Sequence, residues 1–317
     1  MDFIVVLFAA IIGDLIWGNK KNFSERLNYP VIVFGRFIDF IDREFNRDVF
    51  SDNTKVFNGT IITLMAIIIL WFLATILEKI LFGNFVGNIL IGFFVSLFLN
   101  IKSSFNEIKA IYNNFMDDDI YQAKEGLGSI SSVDCSELNE SEITALAIDN
   151  LFRKLMLHFV CPFFWLFIMG LPGLLISNFI SYANKLTLQT APKYQLFGKL
   201  ISYLENIMYY IPSRLTSLLI ILSSFILKED WKKAITITRQ HSKEMGPVSL
   251  GWGSASIAGA LDIIINVYNT NTENGEFFVI NPDGIKLINF DYILKGIWIY
   301  IVSISLFLVV IFFGSIV

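Results

Sequence analysis

The sequence predicts an all-α fold, a polytopic integral membrane helical bundle of about five to seven spans with a broken or kinked central segment. Composition is the first observation: 55% of residues are hydrophobic and 16% are charged, whereas soluble domains carry about 25% charged residues. The mean hydropathy is +0.62. Several apolar runs also approach or exceed the ~20 residues that cross a bilayer. We therefore treat residues 1–317 as a single membrane domain.

Composition also excludes several classes of function. The net charge of −4 argues against nucleic acid as a partner. Cys135 and Cys161 lie far apart in the sequence, so a disulfide framework is not predicted. They also lack the spacing to form a zinc site with His158 and His241. There is no Walker loop, dinucleotide-binding fingerprint or nucleophile elbow.

The first apolar run, Phe3–Trp17, is short for a span. As a helix it rises about 22 Å, less than a ~30 Å hydrocarbon core, so it spans only if the bilayer thins or the helix extends. Asp14 lies near its end. An acid at that depth is a functional candidate, and the alternative is an interfacial, solvated carboxylate beside Trp17.

The polar segment 18–55 follows and holds seven Lys and Arg residues. The positive-inside rule predicts that it faces the cytoplasm. Within it, apolar residues of Phe34–Arg47 recur at helical spacing, which predicts an amphipathic helix along the membrane surface or the bundle. Arg36 belongs to this helix.

Two full spans, Val56–Leu77 and Ile80–Ile101, are predicted next, joined by a tight turn at Glu78–Lys79. Together they form a helical hairpin that returns the chain to the side it left. The polar segment 102–156 is therefore predicted to share the cytoplasmic face with 18–55.

Segment 102–156 holds three local signals. The acidic run Asp117–Asp119 suits either a Mg²⁺ site or a solvated helix boundary. The stretch Gly126–Ser132 is predicted to be a loop. Asn139 and Glu142 have the spacing of a capping box, which predicts a helix through His158.

The central apolar run Leu157–Ala183 contains the predicted structural hinge, formed by Pro162, Gly170, Pro172 and Gly173. Proline removes a backbone donor and glycine weakens a helix. In lipid the freed backbone groups need partners in neighbouring protein or in a water-lined cavity. Two alternatives remain open: a kinked span, or two half-helices meeting at Gly170–Gly173.

The membrane side of segment 184–210 is not determined by the sequence. An apolar run from Ile211 to Leu227 follows, with Pro212 predicted in its first helical turn. Arg214 lies at the mouth of this run. It either extends to a lipid phosphate or binds a substrate phosphate.

The next segments are a basic loop, Lys228–Pro247, which carries His241, and the run Ser249–Tyr268 around Trp252. Small residues in that run let backbones approach, so it is predicted to be buried in the bundle, with Asp262 inside it.

The last polar stretch, Asn269–Asn289, has turn signals. Only two Lys or Arg residues fall within 268–295, so this loop is predicted to be external. Gly296–Val317 is predicted to be a closing span.

Short motifs along nearly the whole chain resemble, in one order, those of the cobinamide-phosphate synthase family (the CbiB/CobD membrane proteins of cobalamin biosynthesis). Near the start these are Ile12-Gly13-Asp14, Tyr29-Pro30-Val31 and Gly35-Arg36-Phe37-Ile38. Cys161-Pro162-Phe163-Phe164-Trp165 and Gly170-Leu171-Pro172-Gly173 resemble the family's "APLFW…GLPG". Later motifs are Tyr194 with Phe197-Gly198, then Ile211-Pro212-Ser213-Arg214-Leu215-Thr216, His241, Gly251-Trp252 and Ala258-Gly259-Ala260-Leu261. Each motif is weak alone, and the ordered set is specific.

The resemblance implies a multi-pass protein of the inner (cytoplasmic) membrane. It also implies ATP-dependent joining of an aminopropanol phosphate to adenosylcobyric acid through an amide bond, giving adenosylcobinamide phosphate. ATP and Mg²⁺, a corrinoid substrate and the lipid bilayer are thus implied partners. The residues that would carry this chemistry are expected in one pocket at the cytoplasmic membrane boundary: Asp14, Glu205 and His241 as catalytic groups, with Asp14 or Glu205 holding the metal, and Arg36, Arg214 and Trp252 binding substrate.

The sequence also departs from the family pattern. The family's "AEN…DG" is replaced by Phe152-Arg153-Lys154 and Leu157-His158, its "NTLDS" by Ser181-Tyr182-Ala183-Asn184-Lys185, and its "LDD" by Leu204-Glu205-Asn206. Its histidine in "HP" is Tyr29, and Gly253-Ser254 replaces a Pro-Glu pair. Most of the lost groups are acidic or polar, and Arg153 and Lys154 invert the local charge.

Two hypotheses follow from these departures. In the first, Asp14 and Glu205 suffice as metal ligands and Arg153 and Lys154 turn outward to lipid headgroups, so that Arg153→Glu changes little. In the second, the pocket is cationic and the chain is a non-enzymatic inner-membrane sensor or partner protein of the AmpE type, a related family that keeps the "APLFW" junction.

Overall fold

The computed structural model describes residues 3–17, 35–36, 44–46, 50–81, 84–131, 133–189, 193–242, 248–268 and 277–314. Most of the predicted amphipathic helix Phe34–Arg47 lies outside these residues, as do Tyr29-Pro30-Val31 and the tip of the last polar loop. The contacts divide the chain into two compact units. Unit 1 comprises Met1–Asn100 and Cys161–Tyr209, and unit 2 comprises Ile101–Val160 and Tyr210–Val317. The single membrane domain stays a prediction.

The described elements are helical apart from one small hairpin. In chain order they are α1 (Phe3–Trp17), α2 (Asp52–Leu81), α3 (Phe85–Ser96), α4 (Ile101–Met116), α5 (Ile120–Ile130), α6 (Glu140–Leu155), a π-helical turn (Met156–Val160), α7 (Cys161–Gln189), α8 (Lys193–Phe197), α9 (Lys199–Ile226), α10 (Trp231–His241), α11 (Val248–Ala260), β1 (Ile265–Tyr268), β2 (Phe277–Ile280) and α12 (Asp291–Gly314).

Within the described residues, five helical runs are long and apolar enough to cross a membrane, which confirms the predicted class of a polytopic helical membrane protein. They are Asp52–Leu81, Phe85–Met116, Glu140–Asn184, Lys199–Ile226 and Asp291–Gly314. The first apolar run of the sequence, Phe3–Trp17, forms α1 with the bounds that were predicted, and α1 is shorter than the five candidate spans.

In unit 1, α1 packs on α3, and α2 packs on α7 and α8. The α1–α3 contact is close because Gly92 has no side chain: a Cβ there would lie 2.4 Å from the Cβ of Ala9. The turn predicted at Glu78–Lys79 is wrong. Helix α2 continues through both residues to Leu81, and Asn84 then caps α3 by accepting a hydrogen bond from the Gly87 N–H at 2.7 Å.

The central segment breaks at Gly170, where φ is 67° and ψ is −155°. Two helical halves meet there, so the break predicted by the glycine and proline residues is confirmed. Pro172 and Gly173 belong to the start of the second half, where proline is well tolerated. Pro162 lies in the first turn of α7, directly after the π-helical turn that the sequence did not predict.

Unit 2 is built around α6, which packs against α4, α5, α11, α12 and β1. The predicted capping box is present: the Asn139 side chain accepts from the Glu142 N–H, and the Glu142 carboxylate accepts from the Asn139 N–H. The helix was predicted to run through His158. It ends as an α-helix at Leu155 and continues as the π-helical turn.

The acidic run Asp117–Asp119 is a helix boundary. Helix α4 ends at Met116, Asp118 adopts a left-handed φ of 56°, and the Asp119 carboxylate accepts from the Gln122 N–H. The loop predicted at Gly126–Ser132 is wrong up to Ile130, where α5 ends, and Ser132 lies outside the described residues. Burial of Ala123 and Leu127 in unit 2 offsets the ~1 kcal/mol that a helical glycine costs.

Two predictions for the second half of unit 2 are wrong. Pro212 lies inside α9 and not in its first turn, because the helix already begins at Lys199. His241 ends a helix, α10, where the sequence predicted a loop. The burial predicted for the small residues of α11 is confirmed, but the helix ends at Ala260. Asp262 then adopts a left-handed φ of 54°.

The chain after α11 forms an antiparallel hairpin in which Ile265 pairs with Ile280 and Tyr268 pairs with Phe277. This hairpin was not predicted. At its base the Asp262 carboxylate pairs with the Lys233 ammonium and accepts a hydrogen bond from the Asn281 side chain.

The start of α6 and the segment after the hairpin lie together. The Ser141 hydroxyl donates to the Lys286 carbonyl at 2.9 Å and accepts from the Ile288 N–H at 3.1 Å. Segment 102–156 was predicted to be cytoplasmic and the last polar loop external. These two predictions cannot both be right, because the hydrogen bonds of Ser141 place the two segments on the same side. Two lysines are too few for the charge rule to assign the last loop.

Candidate functional site

The break in α7 is capped by an acid from α2. The Leu171 N–H opens the second half of α7 and donates to the Glu78 carboxylate at 3.2 Å. Glu78 is half-buried and lies in the last turn of α2. A carboxylate at the start of a helix both satisfies a free donor and complements the helix dipole. The sequence left two kinds of partner open for the freed backbone, neighbouring protein or a water-lined cavity, and for the Leu171 N–H the partner is Glu78.

A second free backbone group in the same unit is also satisfied by a side chain. Pro212 has no N–H, so the Met208 carbonyl one turn earlier in α9 has no helical donor. The indole N–H of Trp165, on α7, donates to this carbonyl at 3.0 Å. Trp165 therefore links the first half of α7 to α9.

Glu205 lies at the centre of a polar cluster in unit 1. The Asn184 amide N–H donates to the Glu205 carboxylate, and the Ser202 hydroxyl donates to the Asn184 amide oxygen at 2.7 Å. Asn184 stands where the resembling family has the acid of "NTLDS", and Glu205 stands at the first acid of "LDD". The structure therefore brings two motif positions together, although one of the acids is replaced.

Arg214 and Trp252 are in contact in unit 2. The Arg214 guanidinium carbon lies 3.5 Å from the centroid of the Tyr210 ring and 4.4 Å from that of Trp252. The guanidinium also donates to the Tyr210 carbonyl at 2.6 Å. Both aromatic faces attract a cation. The substrate-binding residues predicted on α9 and α11 are thus adjacent.

Buried hydroxyls fix the helices that carry this pair. The Ser256 hydroxyl on α11 is hydrogen bonded to Ser217 on α9 and to Thr238 on α10. All three residues are at most 4% exposed. Since buried polar groups are costly unless paired, this trio specifies the spacing of the three helices.

The remaining predicted site residues are placed individually. Asp14 is 5% exposed, so its carboxylate is enclosed by protein. Arg36 is exposed. His241 ends α10 with its ring 6.1 Å from that of Phe278 on β2. Asp14, Arg36 and Glu205 belong to unit 1, while Arg214, His241 and Trp252 belong to unit 2. Convergence of all six residues in one pocket stays a prediction.

The two added cations before the central segment are paired with acids. Arg153 donates to the Asp149 carboxylate at 2.6 Å, and Lys154 pairs with Glu107 of α4. Asp149 is 3% exposed. Both hypotheses for these cations are therefore corrected: they neither turn outward to lipid headgroups nor supply unpaired positive charge.

Sequence reasoning missed the roles of Glu78, Asp149 and the Trp165 indole. A signal was present for Glu78, because an acid inside a long apolar run is a functional candidate by default. The Asp149–Arg153 spacing of four residues also suits a helical ion pair. No sequence signal shows which carbonyl the Trp165 N–H bonds.

The cluster around Glu205 suits the Mg²⁺ that the resemblance implies. One carboxylate, one amide and one hydroxyl are hard oxygen donors, and Mg²⁺ is commonly held by one or two carboxylates together with substrate phosphates. No group of three or more His, Cys, Asp or Glu side chains forms a metal cluster in the described part of the chain. The donor set from Glu205, Asn184 and Ser202 thus fits a metal whose remaining ligands are water and phosphate.

These features define a class of protein: a polytopic helical membrane protein with a broken span capped by an acid and a cation held between aromatic rings. The family described as "CobD/Cbib protein" matches residues 7–280. The chain belongs to this family, which confirms the resemblance read from the motifs.

Similar proteins support the same assignment. The chain is 26% identical over 265 residues to a protein of Brucella melitensis named "Cobalamin biosynthesis protein CobD", with 83% of this chain and 81% of the relative covered. It is 29% identical over 285 residues to a Thermoplasma volcanium protein named "Probable cobalamin biosynthesis protein CobD", with 89% and 87% covered. It is 30% identical to a CobD of Sinorhizobium fredii, with 83% and 81% covered. No solved structure matches the chain.

Proposed function

We propose that this protein acts in cobalamin biosynthesis at the inner membrane. The reaction is the ATP-dependent joining of an aminopropanol phosphate to adenosylcobyric acid through an amide bond, which gives adenosylcobinamide phosphate. The family membership and the names of the relatives support the pathway. The particular reaction is the one that the motif resemblance implies.

One structural observation carries the proposal. Arg214 and Trp252 come from motifs nearly forty residues apart, and they are packed ring against guanidinium. A second motif pair, Asn184 and Glu205, is also in contact. Motif residues that meet in space although they are distant in sequence are typical of a site under functional constraint.

The residues have distinct proposed roles. Arg214 binds the phosphate of the aminopropanol phosphate, because a guanidinium presents a fork of donors that suits phosphate oxygens. Glu205 and Asn184 would hold Mg²⁺, which would supply positive charge to neutralise phosphate oxygens. When bound, ATP supplies the free energy that activates the carboxyl group for amide formation. His241 is a candidate for the group that accepts the proton released by the attacking amine.

The test combines a whole-cell assay and a purified assay. A synthase-null strain fed cobyric acid should recover cobalamin synthesis when it expresses this chain. Purified protein with ATP, Mg²⁺, cobyric acid and aminopropanol phosphate should form cobinamide phosphate. Glu205→Gln keeps an acceptor for Asn184 but removes the charge, so product formation should fall at least about a hundredfold while the melting temperature stays close to that of the wild type.

Glu229→Gln is the matched control. Glu229 pairs with Lys295 near the start of α12, a partly exposed contact that the proposal does not use. It should leave product formation unchanged. Absence of product and of ATP turnover in folded wild-type protein would contradict the ligase and favour the sensor or partner hypothesis. Equal activity of Glu205→Gln and wild type would remove Glu205 from the mechanism.

A further inference from the structure

The indole nitrogen of Trp252 is a buried hydrogen-bond donor in unit 2. Its Nε1 atom is buried and has no hydrogen-bond partner among the described residues. An indole N–H can only donate. A buried donor without a partner is costly, so it needs an explanation such as a water or an ion that accepts from it.

The neighbouring Arg214 guanidinium also has unused donors. A guanidinium carries five N–H groups, and the described residues accept from Arg214 only at the Tyr210 carbonyl. No described carboxylate pairs with it, in contrast to Arg153, which pairs with Asp149. Arg214 thus brings a positive charge and free donors to the face of the Trp252 ring, at 4.4 Å from the ring centroid.

The rings hold the guanidinium in a fixed orientation. Tyr210 and Trp252 lie 3.5 Å and 4.4 Å from its carbon atom, and the hydroxyl trio of Ser217, Ser256 and Thr238 fixes α9 against α11. A donor fork held in this way loses little conformational entropy when it binds an anion.

We propose that Arg214 and the Trp252 indole N–H together form a binding site for a phosphate-type oxyanion. One oxygen accepts from Nε1 of Trp252, and the others accept from the guanidinium. The ring that stacks on the guanidinium also carries Nε1, so both sets of donors belong to one stacked pair. The identification of the anion as the phosphate of an aminopropanol phosphate rests on the proposed function. A phospholipid headgroup has the same chemistry and is the other source.

Binding is tested on full-length protein labelled with 5-fluorotryptophan in maltoside micelles, which contain no phosphate. The Trp252 fluorine resonance is assigned from its loss in Trp252→Phe. Titration with inorganic phosphate, and then with aminopropanol phosphate, should shift this resonance and saturate. Trp252→Phe keeps the aromatic face but removes the N–H, so phosphate binding measured by equilibrium dialysis should weaken about tenfold or more.

Arg214→Lys should also weaken binding by at least about tenfold, since lysine keeps the charge but loses the fork and the stacking. Trp298→Phe and Arg239→Lys are matched controls at exposed positions on α12 and α10, and both should bind as the wild type does. A shift seen with added phospholipid but not with soluble phosphate supports the oxyanion site and names the headgroup as its source.

Two results would overturn the inference: no shift with either source, or binding by Trp252→Phe and Arg214→Lys equal to that of the wild type. The measurement contains no ATP or corrinoid, so it is separate from the ligase assay. Phosphate binding without product formation would leave this site standing and remove the proposed reaction. If product forms but phosphate binding is the same in Trp252→Phe and wild type, only the oxyanion site is refuted and the proposed reaction stands.

Discussion

Replacing Gly170 by alanine tests how the broken span is held. Gly170 has a φ of 67° and a ψ of −155°, a conformation that costs a residue with a side chain about 1–3 kcal/mol. A Cβ there would also lie 2.7 Å and 2.9 Å from the two carboxylate oxygens of Glu78. Glu78 would have to move, and the Leu171 N–H would lose its acceptor.

The expected loss is the sum of these two effects. A hydrogen bond to a charged group contributes about 1.5–3 kcal/mol, so Gly170→Ala should destabilise the protein by about 2.5–6 kcal/mol. This is a large part of a typical 5–15 kcal/mol stability. Reversible unfolding in mixed micelles of maltoside and dodecyl sulfate measures it. Gly128→Ala is the control, because nothing lies within 4 Å of a Cβ there, and it should be neutral or slightly stabilising.

A double-mutant cycle separates the two contributions. Glu78→Ala alone should cost about 1.5–3 kcal/mol, since it removes the cap. In the double variant Gly170→Ala/Glu78→Ala the cap is lost only once, so the combined loss should fall short of the sum by a similar amount. Losses that add to within about 0.5 kcal/mol would refute the shared contact. Wild-type stability of Gly170→Ala would refute the break itself.

Two further predictions concern side chains that satisfy buried groups. Trp165→Phe removes the donor to the Met208 carbonyl and should destabilise the protein by about 1–3 kcal/mol in the same unfolding assay. The control Trp71→Phe, at an exposed position on α2, should change stability little. Equal losses of stability in both variants would count against the hydrogen bond. Arg153→Glu removes the partner of Asp149 and adds a second acid beside it, so it should destabilise by about 2 kcal/mol or more, and wild-type stability would contradict the ion pair.

The sequence predicts the break in the central span because glycine and proline residues at membrane depth have a direct physical meaning. It does not predict the partner, because Glu78 lies 93 residues from Leu171. The adjacent charges at Glu78–Lys79 indicated a turn, since charges are costly in lipid. The sequence pattern cannot show that the start of a distant helix provides the Leu171 N–H as a hydrogen-bond donor to Glu78.

The hairpin after α11 was missed for a related reason. Its strands are four residues long, and Ile265 continues the apolar run of the preceding helix. The helix ends because Asp262 adopts a left-handed conformation, which glycine would have indicated and aspartate does not. Its stabilisation by Lys233 and Asn281 is a tertiary effect.

The candidate site was predicted in part. The motif resemblance singled out Arg214 and Trp252, and the structure places them in contact. It could not show that the Trp252 N–H lacks an acceptor, because hydrogen-bond satisfaction depends on packing. The sequence correctly indicated that Arg153 and Lys154 add positive charge. It did not show that Asp149 and Glu107 neutralise this charge.

The hydrogen bonds of Ser141 to Lys286 and Ile288 also determine whether the chain crosses the membrane an even or an odd number of times between these residues. The chain between these points must cross the bilayer an even number of times, because both ends lie on one face. Helix α12 begins at Asp291 and is long enough to cross, so we expect Gly314 to lie in the opposite compartment. If the positive-inside rule places residues 133–141 in the cytoplasm, a reporter within 282–287 reads cytoplasmic and one after Gly314 reads external.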